Sequence, residues 1–81
     1  MWHKLKTWPE VFNCSMFNLK SFELRVNDRD FKTGDYVLLV EWDPETKQYT
    51  GRALSRSINY ILDKEKFGLP KNMVILGLTM V

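Results

Sequence analysis

Cysteine and histidine each occur once in this chain, and that scarcity excludes several chemistries at the outset. With Cys14 alone there is no intrachain disulfide, and one cysteine plus His3 cannot assemble a zinc cage, so no metal is expected. Cys14 has no cationic neighbour at fixed helical spacing and reads as a small buried hydrophobe rather than a nucleophile. A reducing, cytoplasmic setting fits such cysteine usage. There are four glycines and no glycine-rich phosphate loop, no Ser–His–Asp order and no paired-carboxylate signature, so no cofactor is implied. The longest apolar runs, "YVLLV" and "MVILGL", are too short to cross a bilayer. The opening "MWHKLKTW" lacks the apolar core of a signal peptide.

What is present is a rich aromatic complement. Three Trp, three Tyr and five Phe stand among 81 residues, of which 44% are hydrophobic and 27% charged. A chain of this length holds one domain, residues 1–81, and needs large side chains to close its core. The net charge of +2 is compatible with a nucleic-acid partner without requiring one.

The pattern along the chain predicts about five strands and one helix. A short strand covers His3 to Leu5. "TWPE" has capping-box spacing from Thr7 to Glu10, with Pro9 in the first turn, and predicts a helix over Trp8 to Phe17 that ends at Asn18. "SFELRV" alternates, which predicts Phe22, Leu24 and Val26 inward and Glu23 and Arg25 outward. "YVLLVEW" predicts a central strand buried on both faces. "DPETKQ" is a hairpin loop. "YTGRALSRSINYIL" predicts one long strand with Gly51 at a bulge and with Arg52, Leu54, Arg56, Ile58, Tyr60 and Leu62 on one parity. "DKEKFGLPKN" is a loop with one helical turn, and "MVILGLTM" a closing strand. So many strands in so short a chain favour an α+β, mainly β fold: a small β-barrel, since closure removes exposed edges.

The densest charge lies in "FELRVNDRDFKTGD", where a strand runs into turn chemistry. Glu23 and Arg25 share one strand face and Lys20 precedes them. Such a cluster suits phosphate and a base edge, with the carboxylate accepting from an exocyclic amine. It also suits a plain surface ion-pair ladder. Arg29, between Asp28 and Asp30, either locks the loop or reaches a cleft. Lys6, beside the start of the helix, is a candidate for a phosphate contact. Tyr49 and Arg52, at the head of the long strand, suit stacking and phosphate contact; Arg56 reads as a charge that blunts an edge. His3 is the one side chain expected to titrate near neutrality.

The stretches "HKLKTWPEVF", "LKSFELRVNDRDFKTGD", "YTGRALSRSINYIL" and "FGLPKNMVILGL" together resemble a small group of ASCH-like proteins of the PUA-like superfamily, frequent in phages and bacteria. The resemblance covers nearly the whole chain and is most specific from Lys20 to Asp35. It implies a PUA-like β-barrel with a helix near one end, and an RNA- or nucleotide-binding role in a cleft. One member of that group is an amidohydrolase of N4-acetylcytidine whose motif resembles K-x-x-T-x-R followed by F-K-T-G-D. Lys20, Arg25 and "FKTGD" match it, while the threonine position is Glu23 here. The expectations are therefore an RNA- or nucleotide-binding module using Lys6, Lys20, Glu23, Arg25, Arg29, Tyr49 and Arg52. The alternatives are a modified-nucleoside hydrolase with Lys20 and Glu23 as the reacting pair, or a phage-encoded protein that binds a host protein.

Overall fold

A computed structural model describes residues 1–17, 21–63 and 68–81. Expectations that fall on Asn18, Lys20 and residues 64–67 lie outside the described residues. Strand β1 (Trp2–Thr7) buries His3, Leu5 and Thr7 and exposes Trp2, Lys4 and Lys6. Helix α1 (Pro9–Met16) follows, then β2 (Phe22–Val26), β3 (Tyr36–Asp43), β4 (Gln48–Leu62) and β5 (Met73–Met80). The expected five strands and one short helix are the observed elements.

All five strands join one sheet in the order β1-β3-β4-β5-β2. β1 runs parallel to β3, and every other pairing is antiparallel. A parallel pair needs a crossover, and the chain through α1 and β2 supplies it. The sheet curls as a half-barrel until its two edges, β1 and β2, face each other: the Arg25 guanidinium on β2 donates to the Lys6 carbonyl on β1. Inside the curl lie Leu5, Phe31, Val37, Leu39, Ile58, Val74, Leu76 and Leu78. Each fully buried Leu or Ile contributes about 1.5–3 kcal/mol relative to exposure. α1 packs against β3 with Phe12 buried.

Four expectations fail: the capping box, the facing of β2, the single parity of β4 and the burial of β3 on both faces. Thr7 is the last residue of β1, and its hydroxyl donates at 3.5 Å to the Leu5 carbonyl; the N-cap is Trp8, without a side-chain cap bond. Pro9 at the helix start and Glu10 in its first turn remain the local helix signals. Thr7→Val is therefore expected to leave helix content by circular dichroism unchanged and to shift stability by less than the ~1 kcal/mol that loss of a true N-cap costs.

The second is the facing of β2. Phe22, Leu24 and Val26 are about half exposed, whereas Glu23 is only 4% exposed. Glu23 lies across from Leu76, and Arg25 across from Val74, both buried inside the curl. The outward Phe22, Leu24 and Val26 lie across from Gly77, Ile75 and Met73. Alternation separates two faces, but an interior ion pair reverses the rule that the apolar face turns inward.

The third is the single parity of β4. The ladder to β5 shifts register between Ile58 and Tyr60. Asn59 is the extra residue, and a Cβ at the facing Gly77 would sit 2.7 Å from the Asn59 Oδ1. Ile58 is buried and Ile61 packs on the core, while Tyr60 points outward. The bulge expected at Gly51 is present. Thr50, Gly51 and Arg52 stand opposite Glu41 where the β3–β4 register shifts, and Gly51 takes φ +95°, which a side chain would resist. β3 is buried on its inner face at Val37, Leu39 and Glu41, but Leu38, Val40 and Trp42 are only half-buried, so it is not covered on both faces.

Candidate functional site

The two sheet edges meet along a seam that polar side chains bridge. Arg25 turns inward from β2 and divides its donors: Nε donates to Glu23 Oε2 at 3.2 Å, and one terminal nitrogen donates to the Lys6 carbonyl at 3.0 Å. Arg29, in the turn that follows, donates from a terminal nitrogen to the Lys4 carbonyl and lies 3.7 Å from Asp28. The edge carbonyls of β1, left unpaired by the backbone ladder, thus accept from guanidinium groups. The turn itself is pinned: Asn27 donates its N–H to the Asn72 carbonyl at 2.7 Å, and Asn27 Oδ1 accepts from the Phe31 N–H at 3.3 Å. Between the edges lies an open cleft of about 350 Å³, floored by Leu5 and Phe31 and walled by Arg25, Asp28, Arg29 and Met73.

Behind the cleft floor sits a buried histidine. The His3 ring meets Phe31 edge-on at 4.7 Å, and His3 Nε2 bonds Asp35 Oδ2 at 2.8 Å. The Lys32 N–H donates to the same carboxylate, which also faces the Met1 amino group at 3.2 Å. The hydrogen bond from His3 is the main cause that holds the Asp35 carboxyl below its ordinary value of 3.8.

A second network sits at the bulge. Glu41 is buried at the inner end of β3. Arg52 grips it with Nε to Oε1 at 2.8 Å and a terminal nitrogen to Oε2 at 2.6 Å, and the Thr50 hydroxyl donates to Oε1 at 2.5 Å. Arg52 also donates to Asn13 Oδ1 at 2.9 Å and covers the Phe12 ring at 4.9 Å, tying α1 to the sheet. Arg56 donates to the Ser15 carbonyl at 3.2 Å, near the helix C-terminus, where a cation is favoured. The Arg52 and Thr50 donors hold the Glu41 carboxyl below its ordinary value of 4.5, and Glu41 in turn raises the Arg52 pKa.

Both carboxyls have folded pKa values below their unfolded ones, so their contribution to stability is complete above the ordinary values of 4.5 and 3.8. It is lost as pH falls through the lowered folded values. The melting temperature is thus expected to hold from neutral pH down to about 5 and to fall below about 4.5. Asp35→Asn and Glu41→Gln should each flatten that acid limb; melting curves from pH 7 to 2.5 check this.

The seven candidates therefore divide. Glu23, Arg25 and Arg29 come together at the seam. Lys6 and Tyr49 lie elsewhere, on the outer face of the sheet: the Lys6 ammonium rests 4.3 Å from the Trp42 ring centre, and the Lys4 ammonium 5.3 Å from that of Tyr49. Arg52 belongs to the Glu41 network. Lys20, the partner of Glu23 in the hydrolase reading, lies outside the described residues. Asp28 and Asp30 pair with their neighbours Arg29 and Lys32, as loop-locking residues would. Glu41 escaped the sequence reading, although one carboxylate inside "YVLLVEW", on the parity of Val37 and Leu39, was its signal. Among the described residues no group of three His, Cys, Asp or Glu gathers as metal ligands, and no helix is long and apolar enough to cross a membrane.

Comparison with known families gives a match over most of the chain. The chain belongs to the family described as domain of unknown function DUF3850, whose model matches residues 2–78. No curated protein matches the chain.

Proposed function

We propose that this DUF3850 domain is an RNA- or nucleotide-binding module of the ASCH-like, PUA-like kind, with the seam between β1 and β2 as its ligand cleft. One observation carries the reading. Two guanidinium groups, Arg25 and Arg29, are fixed on one cleft wall by β1 carbonyls, above an apolar floor of Leu5 and Phe31. A guanidinium has five N–H donors in a planar fork, so bonds to Glu23 and to single carbonyls leave donors for phosphate oxygens. The half-exposed Leu24 and Val26, which also line the cleft, offer apolar surface to the flat face of a base. A cleft of about 350 Å³ is at the small end for ligand pockets and suits a single nucleotide. Glu23 holds Arg25 in place through the bond to Nε. The single cysteine agrees with a cytoplasmic location.

The test is a calorimetric titration with nucleoside monophosphates and with the matching nucleosides. Monophosphates should bind more tightly than nucleosides, with an affinity that falls as salt rises. Arg29→Gln should erase the difference between the two. Absence of binding by either at about 1 mM, an affinity of only about −4 kcal/mol, overturns the reading and favours a protein partner.

A further inference from the structure

The outer face of β1, β3 and β4 gathers aromatic rings and lysines. β1 sends Trp2, Lys4 and Lys6 outward, and β3 sends Tyr36 and Trp42. The parallel register sets Trp2 beside Tyr36, and the rings stack at 4.8 Å with 22° between their planes. The antiparallel register sets Trp42 beside Tyr49. Lys6 lies over Trp42, and Lys4 over Tyr49. The residues between them on this face are small or uncharged: Leu38 beside Ser55, and Val40 beside Ala53. Among the described residues, no carboxylate points outward from these three strands between Tyr36 and Trp42. The carboxylates of β3 are Glu41, which is buried and turned inward, and Asp43 at the strand end, which accepts from the Glu45 N–H at 2.9 Å. α1 packs on the other side, where Phe12 and Asn13 meet the inward Arg52.

We propose that this face is a second binding surface, for single-stranded nucleic acid. Four rings and two ammonium groups run along about 20 Å of strand from Tyr36 to Trp42. Bases stack on aromatic rings with little regard to sequence, and a cation beside each ring supplies the phosphate contact. Here each ammonium already lies against a ring face. An arriving base takes the ring and the ammonium moves to the adjacent phosphate. Lys4 and Lys6, with no outward carboxylate beside them between Tyr36 and Trp42, make the face positive, so its complement is a polyanion. Its length suits about four nucleotides, the small end for a stacking platform. A duplex hides its bases and cannot use the rings. The surface is separate from the seam: a mononucleotide is the ligand of the seam, and an oligonucleotide that of the face.

The experiment uses fluorescence quenching and anisotropy with an eight-nucleotide oligouridylate, the corresponding duplex, uridine monophosphate and a polyglutamate peptide. The wild type should bind the single strand at least tenfold more tightly than the duplex or the peptide. The double variant K4Q/K6Q, and separately Tyr49→Ala, should weaken oligonucleotide binding about tenfold or more and reduce its dependence on salt. Affinity for the mononucleotide should not change in Tyr49→Ala. The substituted side chains are exposed, and melting curves check that both variants stay folded. Unchanged oligonucleotide binding in both variants, no binding by the wild type at about 1 mM, or equal binding of polyglutamate overturns the proposal. Loss of mononucleotide binding alone bears on the seam and leaves this face standing.

Discussion

Phe12→Ala is expected to destabilise the protein by about 3–5 kcal/mol, from lost transfer free energy and the cavity left behind. Phe12 is 1% exposed and is the apolar anchor of α1. Eight residues are too few for a helix to persist alone, so α1 depends on packing. The same ring carries the Arg52 guanidinium at 4.9 Å, so its removal also loosens the arginine that grips Glu41. A domain of this size has roughly 4–12 kcal/mol of stability in all, which places the variant near unfolding at body temperature. Phe12→Leu keeps most of the volume and should cost less than about 1.5 kcal/mol. Urea unfolding midpoints measure both. A loss under about 1 kcal/mol in the alanine variant contradicts the docking of α1 described above.

Arg25→Ala carries the second large effect, about 2 kcal/mol. Breaking a buried pair costs about 3–5 kcal/mol when both partners are fully enclosed. The Arg25 side chain is 26% exposed, so the lower figure applies. Its removal deprives the buried Glu23 carboxylate of one donor and frees the Lys6 carbonyl on the facing edge. Arg25→Lys keeps the charge but cannot span both acceptors, and should lose about 1 kcal/mol. Hydrogen exchange localises the effect: amides of β1 and β2 should exchange faster than those of β4 and β5. Uniform acceleration across the sheet, or none, contradicts the bracing role of this side chain.

The sequence carried the elements better than their facing. β5 was legible because it buries one apolar parity, Val74, Leu76 and Leu78, and β3 was legible as a strand from its apolar run, although only the parity of Val37, Leu39 and Glu41 is buried. β2 was misread because its apolar parity meets Gly77, Ile75 and Met73 on the outside, while Glu23 and Arg25 satisfy each other within. Single-strand alternation holds no information about which neighbour will arrive. The β4 parity failed at Asn59, where the extra residue is signalled only by the close approach of Gly77 from another strand. Gly51 was readable because its positive φ restricts the residue type there.

The site divides in the same way. The charge cluster from Glu23 to Arg29 was visible as a cluster, but the partners of Arg25 and Arg29 are backbone carbonyls of Lys6 and Lys4, which no residue type marks. Lys6 and Tyr49 were grouped with the cleft although the parity of β1 and the β3–β4 register carry them to the outer face. The Trp2–Tyr36 stack exists only because β1 lies parallel to β3. That pairing comes from topology, which the short strand at the start of the sequence does not reveal.

The central claim is that Arg25 and Arg29 hold a nucleotide in the seam. Its most direct test is nuclear magnetic resonance of the isotope-labelled protein, following the side-chain Nε–H signals of Arg25 and Arg29 and the Phe31 amide during titration with uridine monophosphate. The account predicts that these three signals move together along one saturating curve, with the amides of β4, which does not line the cleft, unmoved. Signals that stay fixed up to about 1 mM nucleotide, or shifts confined to residues away from the seam, would contradict it.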